Sequence, residues 1–171
     1  MLIVDDQLDA EWRRGIRSRQ PLTVILMDVD HFKLFNDNYG HATGDRCLCA
    51  VAQALDSGLQ RGADLVARYG GEEFVAVLPN TDVEGATLVA ENLRAAVEAL
   101  CVPHAHSSAA SVVTISLGGA TVVPPWEGLV AGDLTQAADQ GLYAAKESGR
   151  NRTVFVDSVH PAGPKPTATP G

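Results

Sequence analysis

Residues 6–18 place Leu8, Trp12 and Ile16 at spacings of four with Arg13, Arg14 and Arg17 between them, a pattern that predicts an amphipathic helix. Pro21 then opens the run 22–29, β-branched and apolar on both faces until Asp28, which predicts a central strand ending in acid. After a polar, glycine-containing connection, Leu48, Val51, Ala52, Leu55 and Leu59 recur at helical period within 44–59, and Gly58 and Gly62 punctuate the exit. The runs 65–69 and 74–78, separated by Gly70-Gly71 and two glutamates, predict a β-hairpin whose turn takes positive φ. Thr81-Asp82-Val83-Glu84 has the form of a capping box, opening a helix with Val83, Ala86, Ala90, Leu93 and Val97 on its inner side. Run 112–123 is strand-like, with Gly118-Gly119 marking a bulge or a close backbone approach. Asp133 can cap a last helix with Ala137, Ala138, Leu142 and Ala145 inward and Gly149 as its stop, and 153–156 closes the pattern as a short strand.

The order helix, strand, helix, hairpin, helix, strand, helix, strand predicts an α/β architecture of the α+β sandwich kind, a mainly antiparallel central sheet of about five strands flanked by helices. If strand 22–29 neighbours the hairpin, Asp28, Glu72 and Glu73 meet at one edge of the sheet. Four of the nine prolines follow His160, so 1–157 is expected to form the domain and 158–171 a disordered tail. No internal repeat is visible.

Composition narrows the partners. With 171 residues, 46% apolar and 20% charged, the chain has the balance of one globular domain with a real core. Thirteen Lys and Arg against twenty-one Asp and Glu leave a formal charge of −8, which argues against a nucleic-acid polymer but leaves room for a small anion where cations gather. Cys47, Cys49 and Cys101 cannot all pair, and the Cys47/Cys49 spacing has no second ligand pair, so neither a disulfide framework nor a zinc site fits. No apolar run approaches membrane-spanning length, and Met1-Leu2-Ile3-Val4 runs straight into Asp5 and Asp6; a soluble, cytoplasmic chain is expected.

Asp28 and Asp30 stand two apart where an apolar strand stops. They read either as hard oxygen ligands for a divalent cation such as Mg²⁺, or as strand-end acids facing solvent or capping the next turn. Glu72 and Glu73 follow the double glycine, whose missing side chains permit a phosphate or ring to approach the backbone; a solubilising hairpin tip is the plainer account. Lys146 and Arg150, four apart at the end of the last helix, read as a phosphate clamp or as cations favoured by the helix dipole. Acids able to hold metal beside clustered cations are what phosphoryl or nucleotidyl transfer requires.

Gly70-Gly71-Glu72-Glu73-Phe74 resembles the signature of the GGDEF domain, the diguanylate cyclase family, in its GGEEF form. Asp28-Val29-Asp30-His31-Phe32-Lys33, Asn36-Asp37 and Tyr39-Gly40-His41 resemble that family's DxDxFKxxND and GH elements, and 146–151 its KxxGRN ending, so the resemblance spans roughly 6–156. It implies a fold like those of nucleotide cyclases and polymerase palms, and the condensation of two GTP into cyclic di-GMP and two pyrophosphates in an antiparallel homodimer. It further implies Mg²⁺, with Mn²⁺ possible, on Asp28, the Val29 carbonyl and Glu72, with Glu73 assisting a second ion or lying near it; Glu72 ranks as ligand above base. Gly70 and Gly71 would admit GTP, with Asn36 and Asp45 reading guanine and Lys33, Lys146 and Arg150 on phosphates. The alternative for Asp45 is to cap the second helix. Arg61-Gly62-Ala63-Asp64 resembles the RxxD site at which cyclic di-GMP inhibits, while the further arginine of some members is Asn92 here, with Arg94 nearby. The usual DxLTxLxNRR segment is missing, helix-like 4–18 standing in its place. A fragment or shortened member, with a sensory or receiver region upstream in the full-length protein, is therefore expected. A catalytically silent receptor for cyclic di-GMP or GTP is the alternative, against which the intact acids and Lys146 speak. A palm-like transferase on nucleic acid is disfavoured by the −8 charge.

Overall fold

A computed structural model describes residues 2–126 and 128–161, with side chains from residue 6 onward. Its elements run α1 (Leu2–Ser18), β1 (Leu22–Val29), α2 (Phe32–Tyr39), α3 (His41–Gly58), β2 (Leu65–Gly70), β3 (Glu73–Pro79), α4 (Val83–Glu98), β4 (Ile115–Val122), α5 (Ala131–Glu147) and β5 (Thr153–Phe155). The sheet has the order β2-β3-β1-β4-β5. It is antiparallel throughout except where α5 carries the chain across from β4 to a parallel β5. The tail expected at 158–171 lies outside the described residues from 162 onward. Among the described residues no helix is long and apolar enough to cross a membrane.

β1 is the central strand because both of its faces are apolar. Ile25, Met27 and Val29 join the core beneath α2, α3 and α4, with Phe35, Leu55, Phe74 and Leu93. Leu22, Val24 and Leu26 join the opposite core, beneath α1 and α5, with Trp12, Val77, Leu134 and Leu142. Burial of each such large side chain stabilises the fold by about 1.5–3 kcal/mol. Asp28 has the parity of Leu22, Val24 and Leu26, which turns it toward the α5 face.

Several local expectations change. The polar connection after β1 holds a helix, α2, in which Phe32 and Phe35 are buried and Tyr39 packs at one ring's distance, 4.7 Å between centroids, from Phe35. The hairpin turn does not take positive φ: among described glycines only Gly40, Gly128 and Gly149 do. Arg68 braces the turn instead, its Nε donating to the Gly71 carbonyl at 2.9 Å. Asp82 rather than Thr81 caps α4, accepting from the Gly85 N–H at 2.9 Å, while the Thr81 hydroxyl turns back to the Pro79 carbonyl at 3.0 Å. Val83, expected inward, is 46% exposed at the first position of the helix. β4 keeps continuous register with β1 through Gly118 and Gly119, so no bulge forms and the close approach does. Val130 is the N-cap of α5; Asp133 sits inside the first turn and accepts from the Val130 N–H at 2.8 Å. The three cysteines are free.

Candidate active site at the acidic end of the sheet

The β1/β3 register sets Asp28 opposite Glu73, and the Val29 N–H donates to the Glu72 carbonyl at 3.2 Å, tying the end of β1 to the hairpin tip. Three of the predicted acids thereby come to one edge. Lys146, near the end of α5, closes the group with its Nζ 2.9 Å from Asp28 Oδ2. Burial pushes the Asp28 carboxyl above its ordinary value, the Lys146 bond and charge pull it down, and the charges of Glu72 and Glu73 push it up again. Glu72 is half-buried, Glu73 is exposed, and a Cβ on Gly70 would stand 3.1 Å from Glu73 Oε2, so the bare glycine leaves that carboxylate room to fold over the tip.

Asp30 does not share this role. It is 1% exposed and accepts from Thr114 Oγ1 at 2.7 Å, Ser116 Oγ at 2.6 Å and the Asn151 N–H at 3.1 Å. A buried carboxylate so fully bonded is a structural anchor, and its partners lie too far along the chain for local sequence to reveal. Arg150 differs as well: it lies beyond α5, in left-handed backbone with φ 64°, its N–H returning to the Ala145 carbonyl at 3.0 Å. Gly149, at φ 114°, ends the helix before Arg150 can share a helical face with Lys146. The turn brings the guanidinium near His31, whose imidazole is lowered from its ordinary value by burial first and by the Arg150 charge second.

His31 is the N-cap of α2, itself left-handed at φ 55° and ψ 31°, and no side chain caps the helix. Among the described residues the first N–H groups of α2 therefore lack side-chain partners, beside exposed Lys33. On the next turn Asn36 Oδ1 is buried without a partner among the described residues; a Cβ on Gly44 would stand 1.8 Å from it, so only glycine at that point of α3 lets Asn36 lie there. Asp45, one residue on, is exposed and does not cap α3, whose N-cap is Gly40. Asn36 and Asp45 thus flank one junction between α2 and α3.

Arg61 and Asp64 stand apart from this site, at the opposite end of β2 from Gly70. The Asp64 N–H donates to the Arg61 carbonyl at 3.0 Å and Arg61 Nη1 donates to Thr81 Oγ1 at 2.9 Å. Asp64 Oδ1 is buried without a partner among the described residues, and that burial raises the carboxyl despite the Arg61 charge. Asn92 is exposed, and Arg94 is engaged by Glu91 at 3.0 Å, Glu98 at 2.8 Å and Asn151 Oδ1 at 2.8 Å.

The donor set suits a hard cation. Among the described residues no three Asp, Glu, His or Cys gather closely enough to hold a metal unaided, yet Asp28, the Val29 carbonyl and Glu72 supply oxygens only, with an ammonium already drawn to Asp28. Mg²⁺ typically takes one or two carboxylates and completes its shell with water and phosphate oxygens, so these residues fit it.

The GGDEF family, described as diguanylate cyclase, GGDEF domain, matches residues 2–152. The response regulator PleD of Caulobacter vibrioides is 40% identical over 148 residues, 86% of this chain and 32% of that protein. The probable diguanylate cyclase DgcT of Escherichia coli is 39% identical over 142 residues, 83% of this chain and 31% of that protein. The chain thus spans about a third of the length of these curated relatives. Among solved structures, the GGDEF domain of DgcB from Caulobacter crescentus in complex with c-di-GMP superposes with a TM-score of 0.80 at 31% identity, covering 91% of this chain and 89% of that one. The active GGEEF domain of a diguanylate cyclase from Vibrio cholerae gives 0.74 at 35% identity, covering 88% and 92%. With the hairpin tip, the acid at the end of β1 and the turn after α5 in one place, and with these matches across nearly its whole folded length, the chain belongs to the GGDEF family.

Proposed function

We propose that this chain is a diguanylate cyclase domain of the GGEEF form, which condenses two GTP into cyclic di-GMP and two pyrophosphates, one GTP being held by each subunit of an antiparallel homodimer. The observation that carries this reading is the gathering of Asp28, Glu72, Glu73 and Lys146 where β1 meets the hairpin tip. Asp28, the Val29 carbonyl and Glu72 would hold Mg²⁺, or Mn²⁺ in its place, with Glu73 at or beside a second ion. Such an ion, when bound, neutralises triphosphate charge and assists in-line attack of a 3′-hydroxyl on an α-phosphorus.

The chain's own groups do the rest. Lys33, Arg150 and the first N–H groups of α2 receive phosphate oxygens, and the flexible stem of Lys146 lets its ammonium turn from Asp28 toward the same anion. Gly70 and Gly71 let the nucleotide lie against bare backbone. Asp45 accepts from the guanine N1 and N2 hydrogens, with Asn36 on another edge of the base; adenine offers no equal partner and leaves the carboxylate unpaired. Residues 1–157 form this domain, and a sensory or receiver region in the longer protein sets the dimer. No nucleic-acid polymer takes part.

Incubation with GTP and Mg²⁺ over a wide range of protein concentration, with products resolved by chromatography, tests the reading. Cyclic di-GMP is expected, with specific activity rising as the dimer fills. No product at any concentration, together with tight cyclic di-GMP binding, would replace the cyclase by a silent receptor.

Product inhibition belongs to Arg61 and Asp64, an exposed guanidinium and a half-buried carboxyl three residues on, a donor fork and an acceptor for phosphate and guanine. Arg61→Ala is expected to move half-inhibition by added cyclic di-GMP to about tenfold higher concentration or more. An unchanged inhibition curve would remove the site from this face.

A further inference from the structure

His104 is wholly buried, yet no step above uses it. It lies in the segment between α4 and β4, which folds back on itself: Pro103 bridges to Val112, the His104 N–H donates to the Ser111 carbonyl at 2.9 Å, and the Ser107 N–H to the His104 carbonyl at 3.1 Å. This closed loop grips α2 at both ends. At the far end the Ala105 N–H donates to Tyr39 Oη at 3.1 Å. At the near end His104 Nε2 stands 3.2 Å from the His31 carbonyl oxygen, and Ser108 Oγ stands 2.9 Å from His31 Nε2. A carbonyl only accepts, so His104 Nε2 carries the proton and donates, leaving Nδ1 as a buried nitrogen without a partner among the described residues. Between the two ends the His104 ring meets Phe35 edge-on, at 5.3 Å between centroids.

The residue so gripped is in left-handed backbone, unusual for a side chain with a Cβ and persistent only where its surroundings impose it. His31 at φ 55° is what turns the chain from β1 into α2, so its conformation sets where the first N–H groups of α2, Lys33 and Asn36 stand. We infer that His104, with Ser108, is a positioning residue for the nucleotide: it clasps His31 in the left-handed turn and so aims the start of α2 at the triphosphate. The inference deepens the proposed function and rests on its reading of the α2 start as the triphosphate ground.

A positioning role separates from a merely structural one by what is lost. His104→Leu removes the donor at similar volume, His104→Gln keeps an N–H on a side chain of similar reach, and Ser108→Ala releases only the exposed side of the clasp. In His104→Leu the KM for GTP is expected to rise about tenfold with kcat within about twofold of the parent. His104→Gln should restore most of that loss, and Ser108→Ala should raise KM by about twofold to threefold. Equal KM in His104→Leu and the parent overturns the inference. A parallel fall in kcat and melting temperature in both His104 variants also overturns it, since it assigns the ring to the core alone. Binding of a non-hydrolysable GTP analogue, measured by calorimetry on the same proteins, separates the two readings. A parent that binds without turnover sinks the cyclase alone, and Kd then takes the place of KM in the comparison. A parent that does not bind sinks both.

Discussion

Asp28→Asn is expected to lower kcat/KM for GTP by about a hundredfold or more, the scale on which removing one directed electrostatic contact at a reacting centre acts, while the melting temperature at neutral pH rises. The two effects have one cause. Burial holds the Asp28 carboxyl above its ordinary value in the folded chain, Lys146 offsets part of this, and Glu72 and Glu73 add to it. Between the unfolded and the folded value the native state therefore binds more protons than the unfolded one, and stability falls as pH rises through that window, from about 3.8 upward. At neutral pH the ionised carboxylate stands as a stability cost, which an uncharged amide of the same shape removes. A site that keeps an unfavourable charge is the pattern expected where that charge has work to do. Mg²⁺ with GTP should raise the parent's melting temperature and leave that of Asp28→Asn nearly unmoved. Activity within tenfold of the parent would take Asp28 out of the metal set, and a lower melting temperature would mean that the bond to Lys146 outweighs burial.

Most of the architecture was legible because its signals are local. The two-faced apolar run of β1, the double glycine between 65–69 and 74–78 and the helical spacing of Leu48, Val51 and Leu55 each depend on near neighbours. α2 was not legible because Asn36, Asp37, Asn38 and Gly40 are weak helix formers; the spacing of Phe32, Phe35 and Tyr39 was the signal that could have found it. The meeting of Asp28 with Glu72 and Glu73 followed from placing β1 beside the hairpin. Asp30 could not be separated from Asp28 in the same way, since Thr114, Ser116 and Asn151 lie 84, 86 and 121 residues away. Nothing in Pro103-His104-Ala105-His106 marks one imidazole as buried and its neighbour as exposed. Only the fold of the loop onto α2 makes that distinction.

Gly118→Ala is expected to destabilise the fold by about 3 kcal/mol or more, lowering the melting temperature by roughly 6–12 °C, and to carry Lys146 away from Asp28. A Cβ at Gly118 would stand 1.8 Å from the Leu142 backbone nitrogen and 2.3 Å from the Ala138 carbonyl oxygen. Neither atom can swing aside as a side chain can, so α5 must lift from the sheet as a body. Gly141 faces the same crossing from the helix side, where a Cβ would meet the Val154 carbonyl at 2.7 Å. The two glycines let α5 lie directly on β4, and the depth of that crossing fixes where the end of the helix, one turn beyond Leu142, delivers its ammonium. Gly62→Ala is the matched control: nothing lies within 4 Å of its Cβ position and its φ is not positive, so its stability should stay within about 0.5 kcal/mol of the parent or rise slightly. Thermal unfolding of both variants, with GTP turnover measured below the lower transition, reads the two consequences separately. A Gly118→Ala protein as stable as Gly62→Ala would show that helix and sheet can part at this point without cost. One that is destabilised yet turns over GTP at the parental rate would show that Lys146 reaches its place by some other constraint than this crossing.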